Sequence, residues 1–484
     1  MILTGLLLIP LLGMLVILLL PKTSEGAIRT VATAATCVTL LLSLKLLTGF
    51  APQQGLQFQE LHAWIPQLNI AYHLGVDGLS VPMVLLTTLL AFLACLASYG
   101  IPERQKEYFI LYLLLEVGML GTFVALDLFL FYVFWELVLV PMYFLIGIWG
   151  GGRREYSAFK FFVYTLAGSL FMLLGVLALY FHAHTFDLVT LAQVGPTLDV
   201  GLQRLLFVAF FLGFAIKVPV FPFHTWLPDA HVDAPTPISV LLAGVLLKMG
   251  GYGFFRISYP VFPAGAQWFS TAMGVLGTIN IVYGAFVAMA QTDLKKLVAY
   301  SSVSHMGFVL LGLASLTPEG MNGAMLQMFN HGTITGGLFL LVGVLYDRAH
   351  TRQLDAFGGL AAKVPVYSGL LIFFSLASLG LPGLSGFVGE FLSLVGTFAT
   401  HPLVTSVSAI GIVVSAAYML MVMQRVLLGP LNEKWKSLAD INARELITVV
   451  PLLIIVLAVG LYPLIVLRLQ DPAIRRLVQQ LLPG

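Results

Sequence analysis

Apolar runs of about 20 residues recur from one end of this chain to the other, the length that matches the hydrocarbon core of a bilayer. With 59% of its 484 residues hydrophobic and only 10% charged, the chain holds more apolar surface than a soluble globule could bury. The expected fold class is an all-α polytopic membrane protein with about fourteen transmembrane helices. The runs fall roughly at 2–20, 28–48, 77–99, 108–126, 128–149, 160–182, 202–223, 236–257, 268–290, 296–316, 321–346, 365–399, 403–428 and 446–467. The apolar start, MILTGLLLIPLLGMLVILLLP, lacks a basic stretch and a small-residue cleavage site, so it is read as the first span and not as a signal peptide. The longest polar-leaning gap, Gly49 to Gly75, is too short to hide a soluble domain.

The basic residues test this count. With the N-terminus outside, the odd-numbered connections collect sixteen of the 24 Lys and Arg, the other side holds five, and Lys45, Lys217 and Lys248 lie within spans. Short cytoplasmic loops carry such an excess. Both termini are therefore expected on the outer side.

Two spans must be broken. In GFAIKVPVFPFHTWLPDAHVDAPTPISVLLAGVLLKMGGYGFFR, from Gly213 to Arg256, five prolines separate Lys217 from Lys248. A helix entering from about Leu202 has to stop just after Lys217, because proline removes a backbone donor and clashes with the preceding turn. The run 365–399 is too long for one straight helix and contains Pro382, Gly383 and Gly386. The broken spans, seven and twelve, are five apart, and a five-span unit repeated in tandem is upside down the second time. Spans four to eight and nine to thirteen are thus candidate inverted repeats, an architecture of transport. The corresponding divisions are 1–107 for the first three helices, 108–257 and 268–428 for the two repeats, and 429–484 for helix fourteen and the tail.

Within these spans lie charges that packing alone would not keep. Glu136, in LFLFYVFWELVLVPMYFL, costs about 2.5–3.5 kcal/mol at mid-span on insertion scales. It is either half of a salt bridge that fixes helix orientation or a group that tunes the proton affinity of Lys217. Lys248 has no acid within one helical turn and is a candidate proton carrier; snorkelling works poorly from mid-span. Glu390 follows the second break in GLPGLSGFVGEFLSLVG and, through the repeat, takes the place of Lys217. Glu116 is a second acid in span four, with packing as its competing role. His305 and His331 have polar companions one turn away (Ser301; Gln327 and Thr335), a row that either passes protons or merely bonds helix backbone. His224, Asp229 and His231 are expected in the connection after span seven, as a cytoplasmic mouth or as helix caps. These charges define a lateral polar axis at mid-membrane depth. Cys37 and Cys95 form no CxxC pair, no group has metal-site spacing, and no phosphate-binding loop or dinucleotide fingerprint is present. No metal, cofactor or nucleic-acid partner is expected for this chain, and the net charge of +2 by itself says nothing about partners.

FYVFWELVLVPMYFLIGIWGG, the KVPVFPFHTWLPDAHVDAPTP stretch, QTDLKKLVAYSSVSHMGF and LPGLSGFVGE resemble the antiporter-like subunits of respiratory complex I and the related Mrp sodium/proton antiporters. The resemblance covers about residues 70 to 430 and is strongest to the NuoM type, for which it implies glutamate at position 390 and lysine there in sister subunits. The short segment after span fourteen, without a long lateral helix, separates it from the NuoL type. The resemblance implies Glu136 and Lys217 as a controlling ion pair and Lys248 as the central carrier, loaded from the cytoplasmic side. It implies His305 and His331 as a bridge, Glu390 as the terminal donor and Glu116 as an auxiliary acid. It also implies partner subunits, sister antiporter-like chains among them, with FMN, iron–sulfur clusters and quinone held by those partners.

Moving one proton against roughly 150 mV costs about 3.5 kcal/mol. No redox centre or nucleotide site is visible here to supply it. The expected function is a proton-translocating subunit of an NADH:quinone oxidoreductase in the bacterial cytoplasmic membrane, driven by quinone reduction elsewhere in the complex. The alternatives are a subunit of a Mrp-type cation/proton antiporter, a thylakoid relative fed by ferredoxin, and a membrane scaffold.

Overall fold

The computed structural model describes residues 1–482. Thirteen helices are long and apolar enough to cross a membrane, and two shorter ones, Pro365–Ser378 and Ser385–Phe398, together make one further crossing. The fourteen spans are Ile2–Leu19, Glu25–Gly49, Ser80–Ala97, Gln105–Val124, Leu128–Trp149, Arg154–Ala183, the pair Val200–Lys217 with Trp226–Asp233, Thr236–Val261, Pro263–Met289, Leu294–Ala314, Pro318–Ala349, the split span twelve, Pro402–Leu427 and Ala443–Leu461. Four of these elements begin with proline at their first position, where the missing N–H is no loss. Asp127, Asp199 and Asp293 cap spans five, seven and ten through backbone N–H groups of the first turn.

The chain is not wholly helical. The gap before span three folds into an antiparallel hairpin, β1 Gln57–Ile65 and β2 Ile70–Val76. This face of the molecule also carries the Asp127–Asp187 bridge, the N-terminus against Glu60, and an amphipathic helix, Leu464–Leu481, where the sequence suggested only a tail. Pro463 ends span fourteen and turns the chain along this face. The opposite face gathers the ion pairs Lys22–Glu107, Lys160–Asp229, Arg352–Asp293 and Arg348–Glu445.

Both expected breaks are present. Span seven starts at the hairpin face, stops at Lys217 and resumes at Trp226. Span twelve starts at the opposite face, stops at Ser378 and resumes at Ser385. The two broken helices are thus inverted with respect to each other. The freed backbone of the first break is answered by Asn280 of span nine: its Oδ1 accepts from Phe221 N–H (2.8 Å) and its Nδ2 donates to the Pro219 carbonyl (2.8 Å). At the second break Asn330 donates to the Ser385 carbonyl (2.6 Å). In lipid, irregular backbone survives only where protein satisfies it in this way.

One segment lies elsewhere than expected. His224, Asp229 and His231 were assigned to the connection after span seven; residues 226–233 are instead the second half of that span, and both histidines are buried. Their polarity reads as loop in sequence because the lining of a polar interior and a solvated loop have the same composition.

The centre of the fold is formed by spans eight, ten and eleven, whose apolar windows are 100%, 94% and 100% buried, against 28% for span fourteen. Outward-facing Leu12, Leu174, Leu205 and Val413 are exposed, as lipid-facing residues are. Span eight has two widened π turns, Leu242–Leu246 and Phe254–Ser258.

Candidate proton pathway

Lys217 ends the first half of span seven and is 2% exposed. Its Nζ stands 4.4 Å from the ring centroid of Trp135, and Trp226 Nε1 donates to the Ile216 carbonyl (2.9 Å), tying the second half-helix to the last turn of the first. A cation over an indole face gains about 0.5–2 kcal/mol. The expected ion pair is not formed: among the described residues Glu136, one residue beyond Trp135, makes no contact with Lys217 within 4 Å, and the lysine's neighbour is the Trp135 ring. Pro141 leaves the Leu137 carbonyl without its helical donor, and the helix is interrupted at Val138, two residues past Glu136.

Lys248 follows the first π turn of span eight and is fully buried. Widened turns of this kind are frequent at functional sites. Its Nζ donates to the Ala243 carbonyl and lies 2.6 Å from His331 Nδ1 on span eleven. The His331 ring is 5.8 Å from that of His305 on span ten. His305 Nδ1 is 2.8 Å from Glu390 Oε1 on span twelve, and its Nε2 is 3.1 Å from Ser378 Oγ at the second break. Gln327 Nε2 donates to the same Glu390 oxygen (3.2 Å). A cavity of about 10 Å³ touches His305, His331, Thr335 and Glu390, which is room for about one water between the two rings.

The structure therefore places Lys248, His331, His305 and Glu390 in one contiguous row across spans eight, eleven, ten and twelve. Lys217 and Glu390 each sit on the half-helix of their span that lies toward the hairpin face, Lys217 before its break and Glu390 after its own. Glu116 stands apart from these contacts. It is fully buried in span four, near Cys95 and Tyr112, and neither carboxylate oxygen has a hydrogen-bond partner among the described residues.

Several polar residues escaped the sequence reading. Lys295 was counted as a loop cation, yet it is 3% exposed and donates to the Ala234 carbonyl (2.5 Å). It lines a cavity of about 390 Å³ on the opposite face, together with Asp233, Asp347, Arg352 and Glu445. On the hairpin side, Arg256 grips Asp77 through two hydrogen bonds (2.5 and 3.0 Å) and donates to Ser80 Oγ and Tyr252 OH. Burial alone would raise the Asp77 carboxyl; Arg256 and the N–H groups of Leu79 and Ser80 hold it below the usual carboxylate range. Asn280, a lone amide in the apolar stretch LGTINIVYGAF, was a readable sequence signal of the side chain that holds the span-seven break. Among the described residues no group of three His, Cys, Asp or Glu could hold a metal ion.

Residues 125–420 match the family model for the membrane domain of NADH:quinone oxidoreductase and Mrp antiporters, and residues 6–123 match the amino terminus of NADH-ubiquinone oxidoreductase chain 4. NADH-quinone oxidoreductase subunit M of Rhodobacter capsulatus is 50% identical over 462 residues, covering 93% of this chain and 90% of the relative. The chain belongs to the subunit M family of NADH-quinone oxidoreductase. A chain of respiratory complex I from Thermus thermophilus, solved with bound NADH, has the same fold with a TM-score of 0.91 at 33% identity, covering 99% of this chain and 100% of that one. A chain of the Mrp complex from Dietzia shares the fold alone, with a TM-score of 0.86 at 21% identity over 99% of both chains. Subunit M membership agrees with the resemblance seen in the sequence, and with the fourteen-span, twice-broken architecture.

Proposed function

We propose that this chain is a proton-translocating membrane subunit of an NADH:quinone oxidoreductase, carrying protons along Lys217, Lys248, His331, His305 and Glu390. Glu136 adjusts the proton affinity of Lys217, and Glu116 serves as an auxiliary acid. One observation carries this reading: the buried row at the centre of the fold in which Lys248 meets His331, His305 meets Glu390, and the two rings lie 5.8 Å apart beside a small cavity, each group able to take and release a proton. Partner subunits supply the redox energy, and quinone reduction there shifts charge along the axis. The face opposite the hairpin, with its excess of Lys and Arg, is the cytoplasmic one, so both termini lie outside. The host membrane is the bacterial cytoplasmic membrane.

The test is Lys248→Met in the assembled complex, with flavin and iron–sulfur content measured beside proton uptake into vesicles. Full cofactor content with pumping lost is the expected result. Pumping at the wild-type proton-to-electron ratio would refute the reading.

A further inference from the structure

Span eight runs from Thr236 at the opposite face to Val261 at the hairpin face. Lys248, Tyr252 and Arg256 follow one another at intervals of one turn, so they line one side of it. The lysine amine turns back toward the start of the span, to the Ala243 carbonyl and His331. The other direction leads to the hairpin face. There a cavity of about 270 Å³ enters between Gly55, Gln193 and Gln480, and its lining reaches Asp77 and Arg256. Water on that face thus comes within eight residues of Lys248, about 12 Å of helix axis.

What lies between is a closed set of hydrogen bonds. Tyr252 and Ser80 are fully buried, and the Phe123 ring meets that of Tyr252 edge-on, with centroids 5.2 Å apart. Tyr252 OH gives its one proton to the Phe123 carbonyl (2.9 Å) and accepts from Arg256 Nε (2.9 Å). In its 3.0 Å contact with Ser80 Oγ the serine is therefore the donor, which fills the second lone pair of the tyrosine oxygen. Ser80 Oγ in turn accepts from Arg256 Nη2 (3.0 Å). Asp77 accepts from Nη1 and Nη2 of Arg256 and from the N–H groups of Leu79 and Ser80. A proton taken up by Asp77 would meet only donors among the described residues, and the guanidinium that fills these acceptors does not release its own.

We propose that Asp77, Ser80, Tyr252 and Arg256 form a proton barrier that closes span eight toward the hairpin face, so that Lys248 exchanges protons with His331 and not with water on that side. This inference rests on the translocation reading above. The end of the lysine's own helix would otherwise offer a shorter way out than the row through His331, His305 and Glu390, and every proton that used it would escape the driven path. Transfer along a hydrogen-bonded chain needs each member to accept one proton and release another. A guanidinium has no acceptor and stays charged, the property by which an arginine in a pore excludes protons. Asp77 supplies the counter-charge that lets this guanidinium stay buried.

The test uses the whole complex reconstituted in vesicles, with flavin content as the measure of assembly. Arg256→Lys keeps the positive charge on a group that can release a proton, and Arg256→Ser leaves room for water. Passive proton flux is read with a pH-sensitive dye under an imposed potassium-diffusion potential and no NADH; the proton-to-electron ratio is read with NADH. Expected in both variants are a passive flux raised several-fold over wild type and a lowered ratio. Adding Lys248→Met should return the passive flux to the wild-type level. Wild-type flux and ratio in Arg256→Lys overturn the barrier even where the serine variant fails to assemble. A leak that survives Lys248→Met overturns it too, because the proton then passes by a route without the lysine. Lys248→Met alone separates the two readings: if it stops pumping while Arg256→Lys stays tight, the barrier alone falls, and if it pumps at the wild-type ratio, translocation through this axis falls and the barrier with it.

Discussion

Nζ of Lys248 and Nδ1 of His331 stand 2.6 Å apart, and neither side chain is ion-paired with an acid among the described residues. A contact that short between two nitrogens needs a lone pair on one of them, so one nitrogen donates the proton that the other accepts. Removing either base should therefore strand the other, and this sets the first expectation. Lys248→Met also removes a buried charge that costs about 2.5–3.5 kcal/mol on insertion scales, so assembly should not suffer. Proton-coupled quinone reduction should fall by about a hundredfold, the low end of what a positioned proton-transfer group contributes. Membrane-vesicle assays on complexes matched for flavin content would measure it.

At the far end of the row, Glu390 holds both His305 and Gln327 through one oxygen. Glu390→Gln retains the shape and an acceptor, so the complex should assemble with unchanged thermal stability to within about 1 kcal/mol. Pumping should fall sharply, because an amide neither takes nor gives a proton. A glutamine variant with unaltered proton-to-electron ratio would remove Glu390 from the path.

Asn280 answers a donor and an acceptor at the break of span seven. Asn280→Ala should leave both buried and unpaired, a cost of about 1–3 kcal/mol each. The expected signature is a lowered Tm of the purified complex together with reduced pumping. Asn280→Asp keeps the acceptor for Phe221 N–H and should recover part of the stability but not all of it.

Asp77 and Arg256 predict an acid limit. The folded carboxyl titrates below its unfolded value of 3.8, so the stability from the pair is fully present above that value and is lost as pH falls through the folded pKa. Between pH 5 and 8 this pair should contribute no pH dependence to Tm. Asp77→Asn should destabilise at every pH in that window, by about 3–5 kcal/mol, because Arg256 is left buried without its counter-charge. Thermal melts of wild type and variant from pH 8 to about pH 3 test these statements.

Much of this was legible in the residues. Apolar runs of about twenty residues specify spans because that length matches the bilayer core, and the prolines after Lys217 specify a break because the ring removes a donor and clashes with the preceding turn. Lys248, His331, His305 and Glu390 stood out because charges and imidazoles are conspicuous against apolar runs. What stayed hidden depended on partners distant in sequence. The hairpin of Gln57–Val76 has a mixed, half-exposed pattern that reads as loop. Lys295 looked like a loop cation, because nothing local reveals that a polar position lines a cavity, and His231 looked like a loop residue although its ring is buried against Phe339. The Arg256–Asp77 pair joins residues 179 apart.

Asn280 stands on span nine, while the backbone it holds is the break of span seven. The half-helices flanking Lys217 cannot change their angle without either releasing both bonds of that amide or dragging span nine with them. Span nine and the hinge of span seven are thus geared together, and a push delivered to span nine would be felt at Lys217.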